Sequence, residues 1–323
     1  MKKKLITIIL SLTLLTGCSK SSELLLPYSE TGNLAGSDIG SFSSTEVSNY
    51  FAENLTVIPD EMSHMVDTNI SATSALIVNT VDNNVIFANN IYERMYPASL
   101  TKLITALVVL ENANLNDTVT VSYNASHITE VGAKLCGFKE GDKVKLEALL
   151  NALLVYSGND AGLAIAEHVA GSEEKFAKMM NETIKKIGAI HSNFVNPHGL
   201  HDDNQYTTAY DLYLIFNELI KFDKFVSIIN QTNYTITYED ANAEVQAKDF
   251  LTTNRYLKGT EKTPEGLTVV GGKTGTTSKA GNCLVLYSTD DKGKSYISVI
   301  LHADSGNSLF SQMTRLLEMI DKR

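Results

Sequence analysis

The chain has 323 residues, of which 43% are hydrophobic and 20% charged, and its formal net charge is −10 at pH 7. This acidic balance argues against a nucleic-acid partner and against binding to an anionic lipid surface, because both repel negative charge. The spacing of cysteines and histidines fits no zinc site, and we expect neither a metal nor another cofactor.

The beginning of the chain predicts export. Three lysines at positions 2 to 4 precede an apolar stretch, Leu5 to Leu15, that is too short to span a bilayer. The run Leu15-Thr16-Gly17-Cys18 resembles the bacterial lipobox, which implies cleavage before Cys18 and attachment of lipid to its thiol. Loss of residues 1–17 removes three lysines and no acids, so the formal charge moves from −10 to −13. We therefore expect an extracytoplasmic protein anchored to a membrane by Cys18, the alternative being an ordinary signal with a coincidental cysteine.

The composition divides the chain into three parts. Residues 1–17 are the predicted lipoprotein signal peptide, and residues 18–54, rich in Ser, Gly, Thr and Asn, are the lipidated N-terminus and a flexible tether. Residues 55–323 are long enough for a sizeable core and form the predicted catalytic domain. The sequence leaves open whether Cys136 and Cys283 pair, although the strand-like surroundings of Cys283 favour a buried free thiol.

The elements of this domain follow one another in a recognisable order. A hairpin is predicted between Ser74 and Asn89, followed by a buried helix that begins near Pro97. Helical periodicity then dominates from about Asn112 to Leu219. Three strands (267–270, 284–287 and 296–301) and a last helix (307–320) complete the chain. Strands at both ends and helices between them predict an α+β fold, with an antiparallel sheet packed between helices and an inserted all-helical subdomain.

Three short motifs occur in one order along this domain: Ser99-Leu100-Thr101-Lys102, Ser157-Gly158-Asn159 and Lys273-Thr274-Gly275. This order is typical of serine acyl-transfer enzymes in which a lysine, not a histidine, is the base. Residues three apart share one face of a helix, so the Ser99 hydroxyl and the Lys102 ammonium can meet in one pocket.

Each motif alone is weak, since Ser172-Glu173-Glu174-Lys175 repeats the first pattern and Ser305-Gly306-Asn307 repeats the second. The first repeat lies in a charged stretch typical of a solvated helix start, and the second is typical of a helix cap. Two other segments also have a structural interpretation. His198 is expected to order its loop, and Thr207 to Asp211 to cap a helix.

The segments 97–102, 157–161, 198–200 and 272–275 resemble the low-molecular-mass penicillin-binding proteins, specifically the serine D-Ala-D-Ala carboxypeptidases of peptidase family S11. The resemblance runs from about Ser71 to the end of the chain and implies the β-lactamase/penicillin-binding-protein-like fold. Many relatives carry a further β-rich domain and a C-terminal amphipathic anchor. This chain ends soon after the catalytic domain, so we expect the N-terminal lipid to take over the anchoring role.

The expected acylation chemistry assigns a role to each motif. Ser99 is the nucleophile, and Lys102 is its base if burial and the second cation, Lys273, lower its pKa. Ser157 and Asn159 hold Lys102, and Ser157 relays a proton to the departing D-alanine. The resemblance implies an oxyanion hole formed by the backbone N–H groups of Ser99 and Thr276.

The same resemblance implies peptidoglycan stem peptides ending in D-Ala-D-Ala as substrates and β-lactams as covalent inhibitors. Lys273 and Thr274 would receive the terminal carboxylate, while Gly275 would allow the peptide to approach the strand closely. Arg255 is a further candidate for binding the carboxylate, the alternative being a surface ion pair.

Other functions remain to be weighed. A DD-endopeptidase or a transpeptidase would use the same motifs, and the sequence barely separates them from a carboxypeptidase. A class A β-lactamase needs a glutamate-bearing loop, yet no Glu-x-x-Leu-Asn stretch occurs between Asn159 and Lys273. A non-catalytic cell-wall-binding lipoprotein would be indicated by a broken motif, and none is broken.

Overall fold

The computed structural model describes residues 56–320. The predicted signal peptide, Cys18 and the tether up to residue 54 lie outside the described residues. The strands are β1 Ser74–Asn79, β2 Val85–Asn89, β3 Thr118–Thr120, β4 Lys143–Lys145, β5 Asn233–Glu239, β6 Val245–Leu251, β7 Leu267–Thr277, β8 Gly281–Asp290 and β9 Ser295–Ala303. The α-helices are α1 Thr101–Asn112, α2 Tyr123–Ser126, α3 Leu146–Asn151, α4 Asn159–Ala170, α5 Glu173–Lys186, α6 Ala209–Leu219, α7 Asp223–Ile229 and α8 Gly306–Leu317.

The main sheet has five antiparallel strands in the order β2-β1-β9-β8-β7. It joins the hairpin from the start of the domain to the three strands at its end, as predicted. The last strands are longer than their apolar runs, most of all β7, which continues to Thr277 and carries the third motif at the edge of the sheet.

Helices cover both faces of this sheet. All six residues of β1 are buried, and because side chains alternate along a strand, they serve two cores. Ala75 and Ile77 belong to the core that contains the apolar face of α8. Leu76 and Val78 belong to the larger core that contains α1, α4 and α6. The predicted antiparallel sheet packed between helices is therefore confirmed.

The inserted lobe needs one correction, because it is not all helical. A second, four-stranded sheet has the order β3-β4-β5-β6, and its first two strands lie inside the region predicted as helical. Each of these strands has only three residues, with one buried valine (Val119, Val144) between exposed neighbours. Such a short segment has too few alternations to produce a period-two signal.

Helix α1 runs through the centre of the domain. Pro97 precedes a short 3-10 turn, Ala98–Leu100, which leads directly into α1, and the first nine residues of α1 are buried. A helix that is apolar on all sides is typical of a core position. No helix between residues 56 and 320 has the length and hydropathy that a membrane span requires.

The repeated motifs have the structural roles predicted for them. The Ser172 hydroxyl accepts a hydrogen bond from the Lys175 N–H at 3.2 Å and caps α5. Ser305 caps α8 in the same way, and Thr208 caps α6 through the N–H of Asp211. Each cap satisfies an N–H group that the first turn of a helix leaves free.

Both cysteines of the described region are buried free thiols. The prediction for Cys283 is thus confirmed, and burial raises the pKa of its thiol to about 12. Cys136 lies against the loop that precedes α4, where a Cβ at Gly158 would collide with its sulfur.

Candidate active site

The first motif places a lysine amine beside a serine hydroxyl. Ser99 lies in the 3-10 turn and Lys102 in the first turn of α1, and Lys102 Nζ is 3.0 Å from Ser99 Oγ. Lys102 is fully buried, and its Nζ also donates to Asn159 Oδ1 at 2.7 Å and to the His198 carbonyl oxygen. These bonds hold the amine against the hydroxyl, as a general base for Ser99 requires.

Burial lowers the pKa of Lys102 to about 7. The nearby Lys134 lowers this pKa further, whereas Cys136 and Asp160 raise it. Near neutral pH a large fraction of Lys102 is consequently uncharged and able to accept a proton. Lys273, the lysine that the sequence predicted for this role, also repels Lys102, since the repulsion between the two buried amines is mutual.

Lys273 forms a second pair with the serine of the second motif. Its Nζ donates to Ser157 Oγ at 2.8 Å and to the Thr274 carbonyl oxygen at 2.9 Å. Burial holds the pKa of Lys273 well below its usual value, and repulsion from Lys102 and Lys134 lowers it further. Ser157, which the sequence predicted to hold Lys102, is thus bonded to Lys273 instead, and each of the two buried lysines faces one serine hydroxyl.

The backbone before Ser157 is unusual. A π-helical turn, Ala152–Tyr156, ends α3, and Ser157 follows it with φ 78° and ψ 34°. A left-handed conformation is costly for a residue with a side chain and persists where the surrounding structure requires it. Here it connects α3 to α4, which begins at Asn159 and brings that side chain to Lys102.

Strand β7 lies against the turn that carries Ser99. A Cβ at Gly275 would be 3.0 Å from the Pro97 carbonyl oxygen and 3.2 Å from the Ser99 nitrogen, so any side chain there would crowd this turn. β7 is an edge strand, and no other strand within residues 56–320 pairs with its outer side at the third motif, so an extended peptide can pair there. The expected oxyanion donors, Ser99 and Thr276, lie on these two facing segments.

The loop 196–200 forms the back of the site. Gly199 has φ +85°, and a Cβ there would collide with the Ala98 carbonyl oxygen. The His198 ring is buried, accepts the N–H of Leu200 at 3.2 Å and lies 3.4 Å from Glu173. His198 therefore orders its loop, as predicted, and its carbonyl oxygen holds Lys102.

These segments enclose a cavity of about 230 Å³. It is lined by Ser99, Gly132, Lys134, Ser157, Asn159, Gly199, Leu200, Thr253, Thr274, Thr276 and Thr277. No Asp or Glu occurs among these described lining residues. In the same part of the chain, residues 56–320, no cluster of three or more His, Cys, Asp or Glu could hold a metal ion.

The family model described as D-alanyl-D-alanine carboxypeptidase matches residues 60–305. The chain belongs to this family, peptidase family S11. DacF of Bacillus subtilis, a D-alanyl-D-alanine carboxypeptidase, is 32% identical over 254 residues, which are 76% of this chain and 61% of DacF. The chain thus spans about three fifths of the length of this relative.

Two further matches are informative. A D-alanyl-D-alanine endopeptidase of Escherichia coli is 27% identical, and the match covers 78% of each chain. The crystal structure of the Streptomyces K15 DD-transpeptidase has a TM-score of 0.74 and 25% identity, and the match covers 80% of this chain and all of that one. The chain therefore has the DD-peptidase fold of the penicillin-binding proteins.

Arg255 lies at the edge of this S11 site and does not line the cavity. Its guanidinium donates to Asn307 Oδ1 at 2.8 Å and lies 4.9 Å from the Phe310 ring centre. Asn282 accepts the Thr276 hydroxyl at 3.3 Å, and the Arg255 guanidinium and the Asn282 side chain both lie within 4.0 Å of a Cβ at Gly306. The sequence alternative of an ion pair is not observed for Arg255 in residues 56–320.

Three side chains of the S11 site were missed by the sequence reasoning. Asp160 accepts the backbone N–H groups of residues 136–138 at 2.8 to 3.3 Å and so holds the loop beside Asn159. Thr253 contacts the Thr274 hydroxyl at 2.6 Å, and Lys134 enters the cavity from the same loop as Cys136. Only Asp160 had a usable signal, since it directly follows the second motif.

Proposed function

We propose that this S11 family member is a serine-type D-Ala-D-Ala carboxypeptidase that removes the terminal D-alanine of peptidoglycan stem peptides through an acyl-enzyme on Ser99. The observation that carries the proposal is the 3.0 Å contact between the Ser99 hydroxyl and the buried amine of Lys102. A lysine with a pKa of about 7 can act as a base at neutral pH, which an ordinary lysine cannot.

In the first step Ser99 Oγ attacks the carbonyl carbon of the penultimate D-alanine while its proton passes to Lys102 Nζ. A tetrahedral intermediate forms, and its oxyanion is stabilised by backbone N–H groups of Ser99 and Thr276 as proposed donors. Loss of one such donor typically costs about 3 kcal/mol of transition-state stabilisation.

In the second step the C–N bond breaks and D-alanine leaves. Its nitrogen needs a proton, which Ser157 can donate because its hydroxyl contacts Lys273 Nζ at 2.8 Å. Ser157 then recovers a proton from the Lys102 ammonium, so that Ser157 is again a hydroxyl, Lys102 is neutral, and the net result is transfer of one proton from Ser99 to the leaving amine. The ester on Ser99 remains until water attacks its carbonyl carbon and gives a proton to Lys102. The acyl C–O bond to Ser99 then breaks, and Lys102 returns the proton to Ser99 Oγ, which restores the free enzyme.

The terminal carboxylate is proposed to bind on the β7 side of the cavity. Hydroxyls of Thr274 and Thr276 line the cavity there, next to the Lys273 amine, and Thr253 contacts the first of them. Anions bind best where hydroxyl and ammonium donors converge. Arg255 is a weaker candidate, because its guanidinium is engaged by Asn307.

The neighbouring functions differ in the bond chosen or in the acceptor. A DD-endopeptidase or transpeptidase activity is the second candidate, favoured by the likeness to the E. coli endopeptidase and the Streptomyces transpeptidase. A class A-like β-lactamase is disfavoured, because no Asp or Glu that could activate a deacylating water is among the described lining residues. A non-catalytic cell-wall-binding lipoprotein is disfavoured by the close serine–lysine contacts.

We further propose that the protein is extracytoplasmic and is anchored to the membrane through lipid on Cys18. The support is the sequence Leu15-Thr16-Gly17-Cys18 after a short apolar stretch. Cys18→Ser should release the protein from the membrane fraction, with Cys136→Ser as a control that stays there. Continued membrane retention of the Cys18 variant would refute the anchor.

Mass spectrometry of the protein after incubation with penicillin, and separately with diacetyl-Lys-D-Ala-D-Ala, tests the enzymatic proposal. A penicilloyl adduct on Ser99 together with release of one D-alanine is the expected result. An adduct that clears rapidly without D-alanine release would favour a β-lactamase, and the absence of any adduct would favour the binding scaffold.

A further inference from the structure

Lys134 is a third lysine in the cavity, and no step of the proposed mechanism uses it. It lies in the connection between α2 and β4 and lines the cavity together with Ser99 and Asn159. Its Nζ is 4.0 Å from the centre of the Tyr156 ring. Within residues 56–320 its ammonium makes no hydrogen bond and no ion pair.

The loop that carries Lys134 is held from two sides. Asp160 accepts three backbone N–H groups of residues 136–138. On the other side Lys248 Nζ donates to the carbonyl oxygens of residues 136 and 137. The carbonyl oxygen of Lys134 itself accepts the Asn159 N–H at 2.7 Å, so Lys134 is fixed to the second motif before any ligand binds.

The charge around Lys134 is unbalanced. Burial lowers its pKa, and Lys258 lowers it further. Lys102 and Lys273 belong to the same site, while the described lining residues include no carboxylate. An ammonium that is partly withdrawn from water and has no counter-ion gains strongly from a bound anion. The cavity is thus basic within a chain whose net charge is −10.

The position of Lys134 indicates which anion it would meet. Under the proposed function the terminal carboxylate lies on the β7 side, near Thr274 and Thr276. The Lys134 carbonyl oxygen instead accepts the Asn159 N–H, which places Lys134 on the wall of the cavity that the inserted lobe forms. With the terminal carboxylate near Thr274 and Thr276 and the scissile carbonyl at Ser99, the residues before the scissile bond would extend beyond Ser99 within the cavity that Lys134 also lines. Each extended residue spans about 3.5 Å.

We propose that Lys134, supported by Tyr156, forms an anion subsite for a carboxylate on the acyl part of the peptide, carried by the residue that precedes the D-Ala-D-Ala unit. The subsite rests on the proposed carboxypeptidase function and makes the enzyme selective for an acidic side chain at that residue. A neutral side chain of the same length leaves the ammonium without a partner.

Two tripeptides that differ in one functional group test the subsite. Nα-acetyl-2-aminopimelyl-D-Ala-D-Ala carries a side-chain carboxylate, and its side-chain amide has the same length without the charge. We expect kcat/KM for D-alanine release to be roughly tenfold higher for the carboxylate, mostly through KM, and the preference to weaken as salt is raised.

Variants then assign the preference to this side chain. Lys134→Met should abolish the preference, and Lys134→Arg should retain most of it. Lys139→Met is the matched control, because it removes an exposed lysine of the same loop that does not line the cavity, and it should keep the full preference. A penicilloyl adduct on Ser99 shows that each variant is folded.

Two results would overturn the subsite. Equal release of D-alanine from the two peptides by the unaltered protein would do so whatever the variants show. A preference that Lys134→Met leaves at its full size would also do so, because both peptides would then lose kcat/KM by the same factor, through the shared terminal carboxylate or the base. The proposed function fails separately, through absence of D-alanine release from either peptide.

Discussion

Two segments of this chain have the same serine-to-lysine spacing and opposite surroundings. Ser99 and Lys102 begin the central helix α1, and their side chains are 3.0 Å apart. Ser172 and Lys175 begin α5, where the serine hydroxyl accepts the backbone N–H of the lysine and the lysine side chain is exposed. One serine is available as a nucleophile, whereas the other is used as a helix cap.

The comparison of these two segments shows that burial of the lysine, and not its spacing from the serine, makes it a base. Lys102 is fully buried and has a pKa of about 7, so its amine can take a proton from its serine. The second segment is also connected to the first, since Glu173 lies 3.4 Å from the His198 ring, and the His198 carbonyl oxygen holds Lys102. A segment without catalytic geometry therefore supports the loop behind the catalytic one.

The largest expected difference between the two segments is in acylation, when the Ser99 and Ser172 hydroxyls are removed one at a time. Ser99→Ala should abolish the penicilloyl adduct and the release of D-alanine, because the attacking oxygen is gone. Ser172→Ala should keep both at the level of the unaltered protein. Mass spectrometry after incubation with penicillin checks both variants. An adduct retained by Ser99→Ala would show that Ser99 is not the nucleophile.

Replacing the lysine of each segment should also give different acylation rates, although the loss should be smaller than that in Ser99→Ala. Lys102→Met should lower the rate of acylation by about 10²- to 10⁴-fold, the usual range for a lost general base. Lys175→Met, at the exposed position, should leave this rate unchanged. Stopped-flow measurement of acylation by a chromogenic β-lactam gives both rates, and equal rates in the two variants would contradict the role of Lys102.

The pH dependence of acylation should follow Lys102. The amine is active when neutral, and its pKa is about 7, so the rate should rise roughly tenfold per pH unit below 7 and level off above it. Since the charge of Lys134 lowers this pKa, Lys134→Met should move the inflection to higher pH. A rate that is flat between pH 5 and 8 would show that another group is the base.

The smallest effect concerns stability. Ser172→Ala removes the cap of α5 and should lower the free energy of unfolding by about 1 kcal/mol. Urea denaturation should show a lower midpoint with an unchanged slope. Ser305→Ala, at the cap of α8, is the matched comparison and should show a similar loss.

The sequence predicted the parts of the fold that have a long, regular pattern. The hairpin β1–β2, helix α1 and the strands β8 and β9 have apolar runs that the structure confirms. It also named Ser99 and Asn159 beside Lys102, because the motif order is specific to one kind of site, whereas Ser157 bonds Lys273 and not Lys102.

The remaining features depend on contacts that no local pattern encodes. Strands β3 and β4 exist because they pair with each other and because β4 meets β5, far along the chain. Lys134 has no motif, and it reaches the site only because Asp160 and Lys248 hold its loop. The effect of Lys134 on the pKa of Lys102 was missed for the same reason.

The free edge of β7 also has a consequence for the assembly of the protein. An unpaired strand edge that can accept a peptide can equally accept a strand from another copy, which is a common route to aggregation. In β7 the register shifts between Val269 and Gly271, and such a bulge twists an edge and interrupts regular pairing. Glycines at 271, 272 and 275 also leave few side chains for an incoming strand to pack against. The features that open this edge to a short ligand thus make it a poor template for self-association.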